Sequence, residues 1–228
     1  MDQKSGCFYC GKDLLYSNET EQIACFYCEN IFSTNAKCID GHYVCDTCHS
    51  LAANDIIEEY CSASTSTDPY DIAISVMKHP SVKMHGPEHH FLVPAVLLSV
   101  YYNKTQNSSE KIEKITLARK RAETVPGGSC GFHGTCGAAV GTGIFMSLIS
   151  NATPLSKNEW QRANKLTAES LLSIAEHGGP RCCKRDTFLA LDTVVKNLNW
   201  ESNTDVKCEF FALNKECLKE NCSYFVLS

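Results

Sequence analysis

The alternation of apolar and polar positions beyond residue 60 predicts a series of helices. Asp68 followed by Pro69 is a typical N-cap and first helical residue, and it opens a helix over 70–78. The almost continuously apolar stretch 88–102 predicts a buried helix, in which Pro94 marks either a kink or the true start. Capping signals predict further helices over 107–123, 135–150, 156–178 and 180–198, whereas only 206–213 alternates as a strand would. Residues 61–228 are therefore predicted to form a mainly α-helical bundle domain.

The first 60 residues differ, because their most regular feature is a series of closely spaced metal-ligand pairs. Each pair can place both side chains on one ion, since the short turn between them directs its amides at the sulfurs. Eight ligands are enough for two tetrahedral sites, so we expect a small irregular α+β module that holds two zinc ions. A rubredoxin-like iron site is the alternative, since iron also accepts four thiolates. The pairs are Cys7 with Cys10, Cys25 with Cys28, Cys38 with His42, and Cys45 with Cys48.

Two pairings of these ligands remain open from the sequence. The stretch 41–48 resembles the centre of RING and related treble-clef fingers, in which the last two cysteines open a helix, here over 50–60. The resemblance implies that the first pair shares an ion with the third and the second with the fourth. A zinc-ribbon arrangement would instead join the first pair to the second, and His49 could replace His42 as the nitrogen ligand. The likeness covers about ten residues of the stretch 25–48, and the closing cysteine pair of a RING finger is missing downstream.

Composition and charge limit the classes of function and the cellular location that we expect. Residues 1–60 carry 3 Lys+Arg against 10 Asp+Glu, which disfavours binding of nucleic acid through this module. No signal peptide is apparent, and the longest apolar stretch, 91–102, is far shorter than the roughly 20 residues of a membrane span. We therefore expect a soluble, cytoplasmic protein with no membrane association. In such a reducing compartment, the 15 cysteines favour metal or thiol chemistry over disulfide bonds.

Two clusters in the helical part are candidate sites of chemistry. Histidines gather around the predicted start of the helix over 88–102, where His85, Glu88 and His89 could bind a metal or transfer protons. A second cluster lies in 127–143, which contains seven glycines together with His133 and Cys136. Cys136 would occupy the first turn of a helix, where the exposed amides are expected to lower a thiol's pKa. The candidate catalytic residues are His85, Glu88, His89, His133 and Cys136.

The remaining cysteines suggest a cofactor and a third metal. Cys130 and Cys136, together with Cys182 or Cys183, could hold an iron–sulfur cluster or act as reactive thiols. Cys208, Cys217 and Cys222 lie near the C-terminus and would need a fourth ligand to complete a metal or cluster site. Cys61, Cys182, Cys183 or a histidine could supply it.

Three segments carry a resemblance to a known family: the paired cysteines at the start of the chain, the stretch 85–90 and the stretch 136–141. Together they resemble a prokaryotic family of unknown function found among anaerobes and methanogenic archaea. The resemblance extends over nearly the whole chain and implies no particular activity, although an anaerobic source would favour iron–sulfur chemistry. The stretch 134–141 is also similar to the helix start of a small redox-associated family named for its cysteine–glycine motif. The sequence thus favours a metalloenzyme or redox protein. The alternative is a non-catalytic zinc-binding accessory protein that docks a partner enzyme or delivers metal or sulfur. In either case we expect a protein partner or a homo-oligomer.

Overall fold

The computed structural model describes residues 6–226. A small sheet stands at the start of the chain, and helices make up most of the remainder, which confirms the coarse fold prediction. The strands are β1 (Leu14–Ala24) and β2 (Ile31–Cys38), and the helices are α1 (Asp46–Ala63), α2 (Pro69–Met77), α3 (Glu88–Lys104), α4 (Ser108–Ala122), α5 (Ser129–Phe132), α6 (Gly137–Ser150), α7 (Asn158–Glu176) and α8 (Cys183–Asn197). No helix within these described residues is both long and apolar enough to cross a membrane.

The two strands form an antiparallel hairpin that carries the ligand pairs at its two ends. Leu14 lies opposite Cys38 at one end, and Ala24 lies opposite Ile31 at the other, with an irregularity of register between Tyr16 and Glu21. The hairpin loop is the turn that contains the ligand pair Cys25 and Cys28. The Cys25 N–H donates to the Asn30 carbonyl at 2.9 Å across this turn. The fold thus separates one set of ligands from the other by the length of the hairpin.

Helix α3 is the centre of the helical part. Nearly all of its residues are buried, and it packs against α1, α2, α4, α6 and α8. Close approach of α6 depends on Gly141, where an added Cβ would lie 2.8 Å from Pro94 Cδ of α3. The helix continues through Pro94, and it starts at Glu88 as predicted. This packing fixes the first turn of α3 beside the first turn of α6.

Helix α1 connects the cysteine-rich hairpin to the helical core. It begins directly after Cys45 and runs on to Ala63, through the predicted domain boundary at residue 60. Its buried Ile57 belongs to the same hydrophobic cluster as α3. Arg119 of α4 adds ion pairs of 2.7 Å to both Asp55 and Glu58 on α1. Helix α1 therefore joins the ligand pair Cys45 and Cys48 rigidly to the helical core.

Two predictions of secondary structure were wrong. The segment 206–213 is not a strand, because it lacks a partner strand: Cys208 N–H donates to the Tyr224 carbonyl at 2.7 Å, and the chain then turns into a short 3-10 helix, Phe211–Leu213. Helix α8 begins at Cys183 rather than at 180, since its N-cap, Cys182, has extended backbone angles.

The hairpin, in turn, was not predicted. Most residues of β1 are exposed on both faces, so the strand has no apolar alternation that would reveal it.

Candidate metal centres and an interface cavity

The eight predicted ligands of the module lie in two groups of four. The first metal set is Cys7, Cys10, Cys38 and His42, and the second metal set is Cys25, Cys28, Cys45 and Cys48. Within each set the donor atoms all lie within 4.8 Å of one another, as closely as ligands of a single ion require. This is the grouping that the treble-clef resemblance implies, and it differs from the zinc-ribbon pairing. His42, rather than His49, is the nitrogen donor that joins the first set.

The hairpin explains the grouping. Because Cys38 ends β2 opposite Leu14, it lies beside the knuckle that precedes β1, and its sulfur is 3.4 Å from that of Cys10. The loop at the other end approaches the start of α1, where Cys45 N–H donates to Cys25 Sγ at 3.3 Å. Each set thus joins one end of the hairpin to a segment distant in sequence.

The electrostatics of the two sets fit a bound cation. Burial raises the pKa of Cys25, but amide hydrogens directed at its sulfur outweigh that effect and lower the pKa to about 6. Burial and the neighbouring thiols raise the pKa of Cys48 to about 12, since four thiolates cannot be crowded together without repulsion. A divalent cation at the centre would remove this repulsion and would keep all the thiols deprotonated. The donor chemistry therefore fits zinc or iron, with all four positions filled by protein.

A cavity of about 490 Å³ lies between the module and the helices. Its walls include Tyr43, Asp46 and His49 from the module side, and His85 and Arg181 from the helical side. Asp46 also joins the two parts directly, because its carboxylate accepts a 2.6 Å hydrogen bond from the Gly127 amide. This volume is typical of a pocket for a small molecule.

Besides the metal ligand Cys7, three cysteines from the helical part line this cavity. Cys130 lies in α5, Cys136 is the N-cap of α6, and Cys183 is the first residue of α8. Cys182 instead lines a second, much smaller cavity together with Cys208, Cys217 and Cys222. Of the four predicted cofactor ligands, three thus line the large cavity and Cys182 lines the small one.

The pKa of Cys136 differs from the sequence-based expectation. Burial and the negative charge of Asp186, whose Oδ2 lies 3.9 Å from the sulfur, raise the pKa of Cys136 to about 12. The amides of Ala138 and Ala139 oppose this effect but do not outweigh it. Burial also raises the pKa of Cys183. The prediction of a lowered thiol pKa at this helix start was therefore wrong, because the thiol is buried beside a carboxylate.

The histidines of the cluster all line the cavity but differ in burial and hydrogen bonding. Both ring nitrogens of His89 are occupied: Nε2 donates to the Lys83 carbonyl at 3.0 Å, and Nδ1 lies 3.1 Å from the Thr187 hydroxyl. Burial lowers the pKa of His89 to about 4, so the ring is neutral at physiological pH. His85 has one nitrogen near Asn214 and a second, Nδ1, that is buried without a hydrogen-bond partner. His133 is exposed at the cavity rim. Of the three, His85 retains an available atom inside the protein.

Glu88 is fully buried at the first turn of α3. One carboxylate oxygen accepts from the Lys83 amide at 2.8 Å, and the other lies 3.6 Å from His49 Nδ1, an ion-pair contact rather than a hydrogen bond. Burial would raise the pKa of Glu88, but the neighbouring His49 and His89 hold it below its ordinary value. Neither Glu88 Oε2 nor His49 Nδ1 has a hydrogen-bond partner. These two atoms form a buried, incompletely satisfied polar pair beside the cavity wall.

Glycines make room for these side chains. An added Cβ at Gly86 would lie 2.0 Å from Glu88 Oε2, and one at Gly137 would lie 2.0 Å from the ring of His90. Both positions therefore require glycine for close approach rather than for an unusual backbone angle. The first turn of α3 could not occupy its place between the two loops with a larger residue at either position.

Sequence reasoning missed three residues at the cavity: His49, Arg181 and Asp186. His49 directly follows a ligand cysteine, so it was considered only as a zinc ligand. Arg181 donates to the Tyr16 hydroxyl at 3.0 Å and so connects the start of α8 to β1. Asp186 lies three residues after Cys183 on α8, a spacing that places both on one helix face and was the available signal.

The family match agrees with the expectation of an uncharacterised group. Residues 57–225 match the model of DUF5714, a family of unknown function. The chain belongs to this family. The match begins within α1, so the two metal sets precede it, while all of the helical cavity wall lies inside it. No curated protein and no solved structure matches the chain.

Proposed function

We propose that this DUF5714 member is a metalloenzyme or redox protein whose reaction takes place in the interface cavity, with two structural zinc ions in the module. The observation that carries the proposal is that Cys130, Cys136 and Cys183 line one cavity of about 490 Å³, whose wall also includes Arg181 and His49, the partner of the buried Glu88. Cys130 and Cys136 are close in sequence, whereas Cys183 and His49 come from distant segments of the chain. A cavity wall of this kind is typical of an active site rather than of ordinary packing.

The three thiols suit a metal cofactor better than they suit free nucleophiles. A thiol with the raised pKa of Cys136 is protonated at neutral pH and is a poor nucleophile. Binding to iron reverses that preference, because a coordinated thiol loses its proton. An iron–sulfur cluster held by three cysteines would supply electron transfer or an open iron position to the cavity. Zinc at the same thiols is the alternative metal.

The remaining residues have separate roles in this proposal. Arg181 places a positive charge at the cavity wall, where it would neutralise thiolate-bound metal or orient an anionic substrate. Glu88 and His49 would transfer protons, since each has an unpartnered atom near the cavity. The module, whose two sets are closed by protein ligands, contributes folding energy and one wall of the cavity. A substrate of small size follows from the cavity volume.

The test is metal analysis of protein purified without oxygen. We expect iron and sulfide in addition to zinc, and an absorption band near 400 nm from iron–thiolate charge transfer. Cys136→Ser should remove the band and the iron while the helical circular dichroism is retained. Cys61→Ala is the matched control, since Cys61 is buried in the helical core outside the cavity. A colourless wild-type protein that contains zinc alone would exclude the cluster.

A second function, docking of a partner by the module, has its own supporting observation. Tyr9, Phe26 and Tyr27 are each roughly half exposed on the ligand knuckles, and the rings of Tyr9 and Phe26 lie 3.8 Å apart. Exposed aromatic side chains of this kind are enriched at protein interfaces. A homo-oligomer through this patch would become monomeric in Tyr9→Ala/Phe26→Ala, as measured by light scattering. A monomeric wild-type protein would exclude the homo-oligomer, and the patch could then bind only a different protein.

A further inference from the structure

The C-terminal segment, residues 198–226, is packed against the helical core with little regular structure of its own. Its only helices are two single 3-10 turns, Phe211–Leu213 and Lys219–Asn221. Phe210 and Tyr224 are nevertheless buried, and the Tyr224 hydroxyl donates to Asp192 of α8 at 2.6 Å. A segment with so little regular secondary structure needs further contacts to hold it in place.

Four cysteines gather where this segment meets the start of α8. Cys182, Cys208, Cys217 and Cys222 are partly buried and line one small cavity of about 20 Å³. That volume admits one water-sized particle and excludes a substrate or a cluster of several metal atoms. A single ion is the ligand that such a space can accept.

The backbone around the thiols has the geometry of a metal knuckle. Phe210 N–H donates to Cys208 Sγ at 3.4 Å, and Lys219 N–H donates to Cys217 Sγ at 3.4 Å. In both cases the donor is two residues after the cysteine. The same arrangement occurs in the first metal set, where Asp40 N–H donates to Cys38 Sγ at 3.4 Å. Amides directed at sulfur stabilise the thiolate form that a metal requires.

Adjacent Cys182 and Cys183 belong to different cavities. Cys182 is the extended N-cap of α8 and Cys183 is its first helical residue. Cys182 lines the small C-terminal cavity, whereas Cys183 lines the large one. This division leaves Cys182 available as the fourth ligand for the three C-terminal cysteines.

We infer that Cys182, Cys208, Cys217 and Cys222 form a third tetrahedral zinc site that fastens the C-terminal segment to the start of α8. Four thiolates at a site that admits one ion are typical of structural zinc. Among the described residues, no three of these four sulfurs lie within 4.8 Å of one another, so zinc binding requires them to move closer together. Because Cys183 follows Cys182 directly, the site would also hold the large cavity's wall in position.

The experiment counts zinc per chain by native mass spectrometry of the full-length protein, loaded with zinc under reducing conditions. We expect three zinc ions in the wild type, two in Cys217→Ser, and three in Cys61→Ala, the matched control at a buried cysteine outside all three sites. Two zinc ions in a wild-type chain with both module sets loaded would overturn the inference. An unchanged count in Cys217→Ser would do the same.

Thiol labelling gives a readout that does not depend on a variant's folding. In the zinc-loaded wild type, Cys217 and Cys222 should resist alkylation and become reactive when a chelator is added. Alkylation at the same rate with and without chelator, or a disulfide between the two, would contradict a zinc site. The inference is independent of the proposed function: iron at the large cavity is counted separately, and its loss in Cys136→Ser should leave the third zinc in place.

Discussion

The two metal sets of the module and the thiols of the interface cavity use the same residue type in opposite ways. In the module, short-spaced pairs meet across a hairpin, and four donors within 4.8 Å fill every position around an ion. At the cavity, Cys130, Cys136 and Cys183 come singly from α5, the N-cap of α6 and the start of α8, and they line an open space of about 490 Å³. Closed sites stabilise a fold, whereas an open site can bind a further molecule. Under the proposed function, ligand spacing in the sequence would separate a structural from a reactive role.

The largest effect is expected from breaking a closed set. Cys25→Ser removes a thiolate whose pKa is lowered to about 6, and the remaining three donors should bind zinc far more weakly. Structural zinc in small fingers contributes about 10–16 kcal/mol to folding, which exceeds the whole stability of many domains, about 5–15 kcal/mol. We expect loss of zinc and unfolding of the hairpin, measured by zinc content and limited proteolysis.

Cys130→Ser is the matched control for that comparison, since it removes a thiol from the open cavity. It should keep both module zinc ions and the protease resistance of residues 6–60. If both variants lost the module zinc to the same extent, the distinction between closed and open sites would be wrong.

The next effect concerns His89, a predicted catalytic residue whose buried ring is hydrogen-bonded at both nitrogens. His89→Ala removes a ring that is 1% exposed and bonded at both nitrogens, so it should cost about 2–4 kcal/mol of unfolding free energy. His133→Ala, at an exposed histidine, should cost less than about 0.5 kcal/mol. Chemical denaturation measures both. Equal costs would mean that burial does not separate these two histidines.

The cost of His89→Ala should also depend on pH. Because the folded-state pKa of His89 is about 4 and the unfolded value is about 6.5, the unfolded chain binds the extra proton first. The stabilisation is fully present above about pH 6.5 and is lost as the pH falls toward 4. The difference in unfolding free energy between wild type and His89→Ala should therefore shrink between pH 7.5 and 5.5. Zinc release affects both proteins and cancels in this difference; a constant difference would contradict a neutral buried ring.

Much of this arrangement could be predicted from local signals. The pairs of ligands, the cap formed by Asp68 with its 2.9 Å bond from the Tyr70 amide, and the start of α3 at Glu88 are all coded by residues close in sequence. Local sequence signals did not predict the features that depend on long-range packing. Neither the exposed hairpin strand β1 nor the division of Cys182 from Cys183 has a periodic pattern. The pKa of Cys136 depends on Asp186, which lies 50 residues away and is brought near only by the packing of α8 against α6.

A smaller effect should follow from filling the space between α3 and α6. The cavity depends on this helix packing, whereas the module does not. In Gly137→Ala the new Cβ would lie 2.0 Å from His90, so the ring has to move, at a cost of about 1–3 kcal/mol. Gly131→Ala is the matched control, because nothing lies within 4 Å of its added Cβ. Thermal unfolding should separate the two variants while the zinc content of both stays unchanged. A loss of zinc in Gly137→Ala would show that the module depends on this packing.

The smallest effect tests whether the two regions are energetically coupled at all. Arg181 beside the cavity donates to the Tyr16 hydroxyl of β1 at 3.0 Å, and its guanidinium lies 5.9 Å from the centre of that ring. Tyr16 is 52% exposed, so solvent competes for the bond and its net contribution should be about 0.5–1 kcal/mol. A double-mutant cycle of Tyr16→Phe with Arg181→Gln, measured by chemical denaturation, should give a coupling energy of that size. The same cycle with Tyr9→Phe, an exposed tyrosine of the ligand knuckle, should give none. A Tyr16 coupling of zero would mean that the contact exists without joining the module to the helices, and that α1 and the Asp46–Gly127 bond alone connect the closed metal sites to the open cavity.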